Sequence, residues 1–261
     1  MSPGPSRTTI AGRRYRDLQN LARRTGRPTD ELHQLYALEG FLERLAHSPH
    51  GERFVLKGGV LLAAYDSRRP TRDIDLAGIR QANDADEIKT RVCEIATLHT
   101  DDGLAFDIGN ARAEMIRDEN IYTGVRVGLS ARLATARLTF HVDVNVGDPL
   151  WPSPIVIAVP RILGGAVEVL GYPLAMVHAE KLVTALQRGI ANTRWRDFVD
   201  IASLARTQPI DAADLARSVA EVSRFRQVAV GPLEPMLVGY DAVAQQRWAA
   251  WRRRQLLADR T

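Results

Sequence analysis

Apolar residues recur at helical spacing in the first part of the chain. From about Arg14 to Ala46 they fall three or four residues apart, and the pattern breaks near the segment TGRPTD. This spacing predicts two amphipathic helices, the second of them capped by Thr29 or Asp30. The same period predicts a helix over residues 85–98. Its buried stripe is expected at Ile88, Val92, Ile95 and Ala96.

The middle of the chain changes to an alternation of apolar and polar residues, which is typical of half-buried strands. In chain order the predicted strands are RFVLKGG, RDIDLAGI, LAFDIG, GVRVGLSARL, RLTFHVDVNVG and PIVIAVPRI. A helix, VLLAAYDS, is predicted between the first two. From Pro173 onward the helical period returns in four segments, of which the last is about twenty residues long.

This order of elements predicts an α+β fold, with a mixed β-sheet core flanked by helices and a helical C-terminal lobe. We expect three parts. Residues 1–50 would form an N-terminal helical segment, residues 51–170 the core, and residues 171–261 the C-terminal helical lobe. A chain of this length is long enough to bury a substantial core.

Composition adds limited constraints. The formal net charge is +4 and the pI is about 9.5, which favours a polyanionic partner only weakly. Cys93 is the single cysteine, so an intramolecular disulfide and a cysteine metal cluster are excluded. The N-terminus is basic but has no apolar stretch behind it, and no uncharged run is long enough to span a bilayer. We therefore expect a cytoplasmic protein without a membrane partner.

Two acids on one predicted strand are the first candidate functional residues. Alternate side chains of a strand face the same way, so Asp73 and Asp75 share one side of RDIDLAGI. Asp143 has the corresponding position in RLTFHVDVNVG, and the three acids would converge if the two strands are neighbours. Grouped carboxylates repel one another unless a cation lies between them. The pattern therefore predicts a divalent metal site, with Mg²⁺ expected and Mn²⁺ as the alternative.

Exposed strand faces often carry acids without any function, and most glycine pairs are simply turns. Here both features occur together, because Gly58 and Gly59 lie between a predicted strand and a predicted helix shortly before the acids. Backbone amides at such a turn would bind the phosphates of a nucleotide. Lys57, next to the glycines, is a further candidate phosphate ligand, or equally a solvated strand end.

A second candidate group lies in the C-terminal helices. Lys181 and Arg188 fall on one helix face, where a cation would hold a triphosphate. Asp197 and Asp200 lie together on the next helix, and either would orient Lys181 or help to deprotonate an acceptor hydroxyl. The alternative is a pair of surface acids that offset nearby arginines. The sequence does not decide which aspartate matters more.

The motifs LKGG, TRDIDL, HAEKLVTALQRG and RWRDFVDIASL, taken together, resemble the AbiEii-type nucleotidyltransferase toxins. This family, which includes the mycobacterial MenT group, belongs to the polymerase-β-like nucleotidyltransferase superfamily. The resemblance extends from about Phe54 to Ala205. It implies a nucleotidyltransferase-type core with metal ligands at Asp73, Asp75 and Asp143.

The resemblance also implies an activity and partners. Such enzymes transfer a nucleoside monophosphate from an NTP, and MenT-like members add pyrimidine nucleotides to the 3′ acceptor end of tRNA, which blocks translation. A cognate antitoxin is the expected protein partner. The oligomeric state is left open.

Basic residues are weaker candidates for RNA contact. They are Arg68, Arg69, Arg72, Arg252 and Arg253. The last two lie near Trp248 and Trp251, and aromatic and basic side chains together suit RNA. The tryptophans would equally well pack inward while the arginines face water. Two other functions stay open: transfer to an aminoglycoside-like small molecule or a protein hydroxyl, and a catalytically inactive module that binds RNA or antitoxin.

Overall fold

The computed structural model describes residues 5–117 and 123–254. Within them the chain forms eight α-helices and one mixed seven-stranded sheet. The helices are α1 (Ile10–Thr25), α2 (Thr29–His47), α3 (Gly58–Leu61), α4 (Ala85–Thr97), α5 (Leu174–Arg188), α6 (Trp195–Thr207), α7 (Ala212–Arg226) and α8 (Tyr240–Arg254). The strands are β1 (Phe54–Lys57), β2 (Asp73–Gly78), β3 (Leu104–Arg117), β4 (Thr123–Leu133), β5 (Ala136–Val146), β6 (Ile155–Pro160) and β7 (Ala166–Gly171).

The predicted α+β fold is confirmed. The strand order across the sheet is β3-β4-β5-β2-β1-β7-β6. β2 runs parallel to β5 and antiparallel to β1, while β3, β4 and β5 form an antiparallel meander. Because β2 lies directly beside β5, the two strands that carry the candidate acids are neighbours, as the sequence analysis required.

The chain divides into two compact units. The first contains the described residues up to Ala64, together with Arg68–Gly147 and Val156–Gly171. The second contains Tyr65–Ser67, Asp148–Ile155 and the described residues from Tyr172 onward. The division into three parts at residues 50 and 170 stays a prediction.

In the first unit, α1, α2 and α4 pack against the sheet and form the core with it. The predicted stripe of α4 is buried at all four positions, and Phe41, Phe106 and Phe140 meet edge to face with ring centroids 6.0 to 6.5 Å apart. Arg44 and Asp102 form a buried ion pair beside this cluster. These contacts cover one face of the sheet, and Asp73, Asp75 and Asp143 lie on the opposite face.

Several local predictions differ from the structure. Pro28 occupies the N-cap position of α2 and no side chain caps that helix, so the predicted cap at Thr29 or Asp30 is wrong. Helix α3 begins at the glycine pair itself and lasts one turn before a 3₁₀ segment, Leu62–Tyr65. β7 was not predicted, although Val167 and Val169 alternate with exposed residues in it.

The second unit is helical. Here α5 packs against α6 and α7, and α6 packs against α8. Trp195 contacts Trp248 and Trp251 with ring centroids 5.6 Å away in both cases, so these tryptophans pack inward. The predicted continuation of α8 beyond Arg254 lies outside the described residues. No helix in the described part of the chain is long and apolar enough to cross a membrane.

Candidate active site

Asp73 and Asp75 lie on the polar face of β2, with buried residues between and after them. In the parallel pairing of β2 with β5, Asp73 lies opposite His141 and Asp75 lies opposite Asp143. Residues directly opposite each other on neighbouring strands place their side chains on the same face of a sheet. The three predicted acids therefore share one face, and two of them are in direct register.

The register extends this pairing into a row of charged residues across five strands. Asp75 lies opposite Lys57 on β1, Asp143 lies opposite Arg126 on β4, and Arg126 lies opposite Glu114 on β3. We call these five residues the charge row. It contains three carboxylates and two cations, with the adjacent pair Asp75 and Asp143 flanked by a cation on each side.

Arg126 holds Asp143 through two hydrogen bonds. Its Nε donates to Oδ1 at 2.8 Å and its Nη2 donates to Oδ2 at 2.7 Å. This bidentate arrangement is among the strongest that a carboxylate makes with a protein side chain. The hydrogen bonds to Asp143 raise the pKa of Arg126 above its usual value, so the guanidinium stays charged. Asp143 was predicted as a metal ligand, and this arginine partner was not predicted.

Asp73 has a different neighbour. The Nδ1 atom of His141 lies 3.0 Å from Oδ1 of Asp73, within hydrogen-bonding distance. Both side chains are partly exposed. This contact is a hydrogen bond between neighbouring strands, and it gives His141 a structural role.

The donor set fits a divalent cation in part. Asp73 and Asp75 supply carboxylate oxygens on one face, which are the ligands that Mg²⁺ and Mn²⁺ prefer. Both oxygens of Asp143 accept hydrogen bonds from Arg126. Among the residues that the structure describes, no three His, Cys, Asp or Glu side chains are grouped as metal ligands. Asp73 and Asp75 are thus suited to hold a cation, while the role of Asp143 as third ligand stays a prediction.

Side chains of Asp75 and Thr71 lie close to the backbone of the glycine pair. Gly58 has φ of +66°, and a Cβ placed there would lie 1.9 Å from Oδ2 and 2.7 Å from Cβ of Asp75. A Cβ on Gly59 would lie 2.8 Å from Oγ1 of Thr71. Glycine is therefore required at residue 58 for two reasons, its backbone conformation and the space that Asp75 occupies.

Lys181 lies in an ionic cluster within the second unit, in which Lys181 and two aspartates are buried and an arginine is exposed. Its Nζ donates to Oδ1 of Asp197 at 2.7 Å and to Oδ2 of Asp200 at 2.9 Å. Arg194 donates from Nε to the other oxygen of Asp197, also at 2.7 Å. We call these four residues the lysine cluster. One aspartate was expected to orient Lys181, and both accept hydrogen bonds from it.

The alternative that Asp197 and Asp200 are surface acids is wrong, because both are almost completely buried. Burial by itself would raise the pKa of Asp197, but Lys181 and Arg194 lower it by more, so the net shift is downward. Asp197 therefore stays ionised at neutral pH. The charges of the lysine cluster balance within the group, since two carboxylates face two cations.

The remaining candidates have varied surroundings. Lys57 is buried at the end of β1, and Arg188 lies in the last turn of α5. Arg68 donates to Glu39 Oε1 at 2.6 Å and to the carbonyl of Pro160, so its guanidinium is engaged inside the first unit. The other candidate RNA-binding arginines are at least partly exposed. They are Arg69, Arg72, Arg252 and Arg253.

A protein-family model, described as nucleotidyl transferase AbiEii toxin of a Type IV toxin–antitoxin system, matches residues 40–261. The chain belongs to this AbiEii toxin family. The matched residues include both the charge row and the lysine cluster. Membership of the family places the protein among the nucleotidyltransferase toxins of toxin–antitoxin systems. No curated protein matches the chain.

Two solved structures from Helicobacter pylori are similar to this AbiEii-family chain. JHP933 has 16% sequence identity and a TM-score of 0.48, covering 87% of this chain and 97% of its own. A putative nucleotidyltransferase has 13% identity and a TM-score of 0.39, covering 83% and 93% respectively.

Sequence reasoning missed Arg126, although a signal for it exists. In β4 of this AbiEii-family protein, Arg126 lies between the buried residues Val125 and Val127, which places it on the polar face. The pattern alone therefore puts an arginine on the same side of the sheet as the acids. What it does not give is the register, and the register decides that Arg126 meets Asp143.

Replacing Gly58 with alanine should disturb the charge row as well as the backbone. Gly26, which ends α1, has the same φ of +66°, but no atom lies within 4 Å of the position that a Cβ would occupy, so Gly26→Ala is a matched control. The left-handed conformation should cost about 1–2 kcal/mol in either variant. Gly58→Ala should lose roughly 1–3 kcal/mol more because of the overlap with Asp75. Chemical denaturation measures both losses, and equal losses would contradict this explanation.

Removing the cation from the lysine cluster should strongly destabilise the protein. Lys181→Met leaves two buried carboxylates with reduced compensation, and breaking a buried ion pair from one side costs about 3–5 kcal/mol. Lys89→Met, on the partly exposed side of α4, is the control and should change the free energy of unfolding by less than about 0.5 kcal/mol. Urea unfolding of both variants provides the measurement. A Lys181→Met protein as stable as the control would show that the cluster is not structurally required.

Proposed function

We propose that this protein transfers a nucleoside monophosphate, a pyrimidine nucleotide in particular, from an NTP to the 3′ acceptor end of tRNA and thereby blocks translation. The observation that carries the proposal is the position of Asp73 and Asp75 on one sheet face, with Asp143 in direct register beside Asp75. Membership of the AbiEii toxin family supports a nucleotidyl transfer as the reaction. The acceptor is supported more weakly, by the basic pI and the exposed arginines.

In this proposal Asp73 and Asp75 hold a divalent cation, Mg²⁺ or Mn²⁺. The cation would neutralise the charge of the triphosphate and of the leaving pyrophosphate. The protein contributes mainly positioning and electrostatic stabilisation, which supply most of the rate in phosphoryl-type transfers. Asp143 would assist at the acceptor hydroxyl.

Further residues are proposed for nucleotide binding. Gly58 and Gly59, with Lys57 beside them, would contact the β and γ phosphates. Lys181 and Arg188 would contribute positive charge toward the triphosphate. Asp197 and Asp200 would keep Lys181 oriented, a role that fits the short hydrogen bonds they accept from it.

The proposed partners follow from the reaction and the family. The acceptor tRNA would contact arginines that are at least partly exposed, with Arg69, Arg72, Arg252 and Arg253 as candidates and Arg68 as a weaker one because of its internal contacts. A cognate antitoxin would restrain the toxin. Since tRNA and NTP are both cytoplasmic, we place the activity in the cytoplasm.

Label transfer tests the proposal directly. Purified protein with Mg²⁺ is incubated with total tRNA and one labelled nucleotide at a time, and labelled CTP or UTP should give labelled tRNA. Asp75→Asn should lower the rate by roughly 100-fold or more, because it removes a carboxylate from the cation site. Asp86→Asn, an exposed position in the first turn of α4, should leave the rate unchanged.

Parallel reactions replace tRNA with total protein or with a panel of aminoglycosides. Label in either of these and none in tRNA would move the proposal to another acceptor. The absence of label with every nucleotide and every acceptor would contradict nucleotidyl transfer itself. Growth inhibition that persists in cells expressing Asp75→Asn would show that the toxicity does not come from this site.

A further inference from the structure

Asp143 has a position that suits a metal ligand and a partner that competes with a metal. It lies in register beside Asp75, yet both of its oxygens accept hydrogen bonds from Arg126. A carboxylate held in this way presents its best lone pairs to the guanidinium. A cation next to Asp75 would also be repelled by the positive charge of Arg126.

Arg126 is more exposed than Asp143 and has a second carboxylate beside it. About 35% of its side chain is exposed, against 13% for Asp143, so the arginine side chain is more accessible to solvent than the carboxylate it binds. On its other side Arg126 lies opposite Glu114 of β3, an exposed carboxylate in the same charge row. The arginine therefore sits between two carboxylates, of which one is inside the candidate active site and the other is outside it.

We propose that Arg126 withholds Asp143 from a divalent cation at Asp73 and Asp75, and thereby sets the cation affinity of this site. The inference rests on the proposed function, because it concerns the cation site of the same reaction. Arg126 is a positioning residue here. It acts through Asp143 and does not itself touch the reacting atoms.

Mn²⁺ binding to the purified full chain, without nucleotide or acceptor, is the direct test. Electron paramagnetic resonance measures the unbound Mn²⁺ during a titration of each protein. Arg126→Gln should bind Mn²⁺ roughly fivefold to tenfold more tightly than the wild type, since it removes a charge-assisted bidentate partner from Asp143. Arg126→Lys keeps the charge but not the fork, and should bind with intermediate affinity.

Two further variants separate the pairing from the general loss of a positive charge. Arg132→Gln removes an exposed arginine from the same face of β4 and should leave Mn²⁺ affinity within about twofold of wild type. Asp143→Asn should not tighten Mn²⁺ binding in the presence of Arg126. In the Arg126→Gln protein, the same Asp143→Asn change should abolish the gain in affinity, because the gain depends on that carboxylate.

Either of two results would overturn the proposal: Mn²⁺ affinity that is unchanged or lower in Arg126→Gln, or a gain that survives Asp143→Asn. If Arg126→Gln does not fold, as judged by thermal melting, Arg126→Lys carries the test alone, and unchanged or weaker binding by it overturns the proposal. The outcome is independent of turnover. A positive Mn²⁺ result without label transfer would contradict only the proposed function, whereas label transfer without the Mn²⁺ effect would contradict only the role of Arg126.

Discussion

The candidate active site depends on the compensation of two carboxylates that lie directly opposite each other on parallel strands. Asp75 and Asp143 are in register, and like charges in such a position repel and destabilise a sheet. The flanking strands supply Arg126 beside one acid and Lys57 opposite the other. Neighbouring strands of the same sheet thus supply the positive charge that allows the two carboxylates to lie side by side in the folded protein without a ligand.

The other face of the same strands explains why this arrangement is fixed in place. Ile74 and Leu76 of β2, and Val142 and Val144 of β5, have no exposed surface. Close packing of these side chains leaves the two backbones little freedom, because a shift of one residue would move the acids into the core. Gly58, which directly follows β1, adds a further constraint, since only a residue without a Cβ allows the chain to turn against Asp75. The carboxylates are therefore positioned by apolar packing that lies outside the site.

Local periodicity was sufficient to predict most elements of the fold and the shared face of Asp73 and Asp75. It also put Asp143 on a second polar face, and the buried stripe of α4 was predicted residue by residue. The partnership of Arg126 with Asp143 was not predictable, because register between β4 and β5 is set by the turn and by tertiary packing. Whether Asp197 and Asp200 are buried could not be decided from the sequence for a related reason: the exposure of a charged residue on an amphipathic helix depends on where the neighbouring helix packs.

The charge row and the lysine cluster both neutralise paired carboxylates with cationic side chains, but they differ in how far these side chains are exposed. In the lysine cluster, the side chains of Lys181, Asp197 and Asp200 are 8%, 5% and 4% exposed. If one of these three charged groups moved away from its partner, it would lose the ion pair and would not be hydrated in exchange. That cost keeps the cluster closed. Arg126 reaches solvent and lies opposite a second carboxylate, so moving away from Asp143 costs it much less. Ionic groups that exchange partners during a reaction are therefore expected at the partly exposed charge row, while the buried members of the lysine cluster, Lys181, Asp197 and Asp200, keep one arrangement.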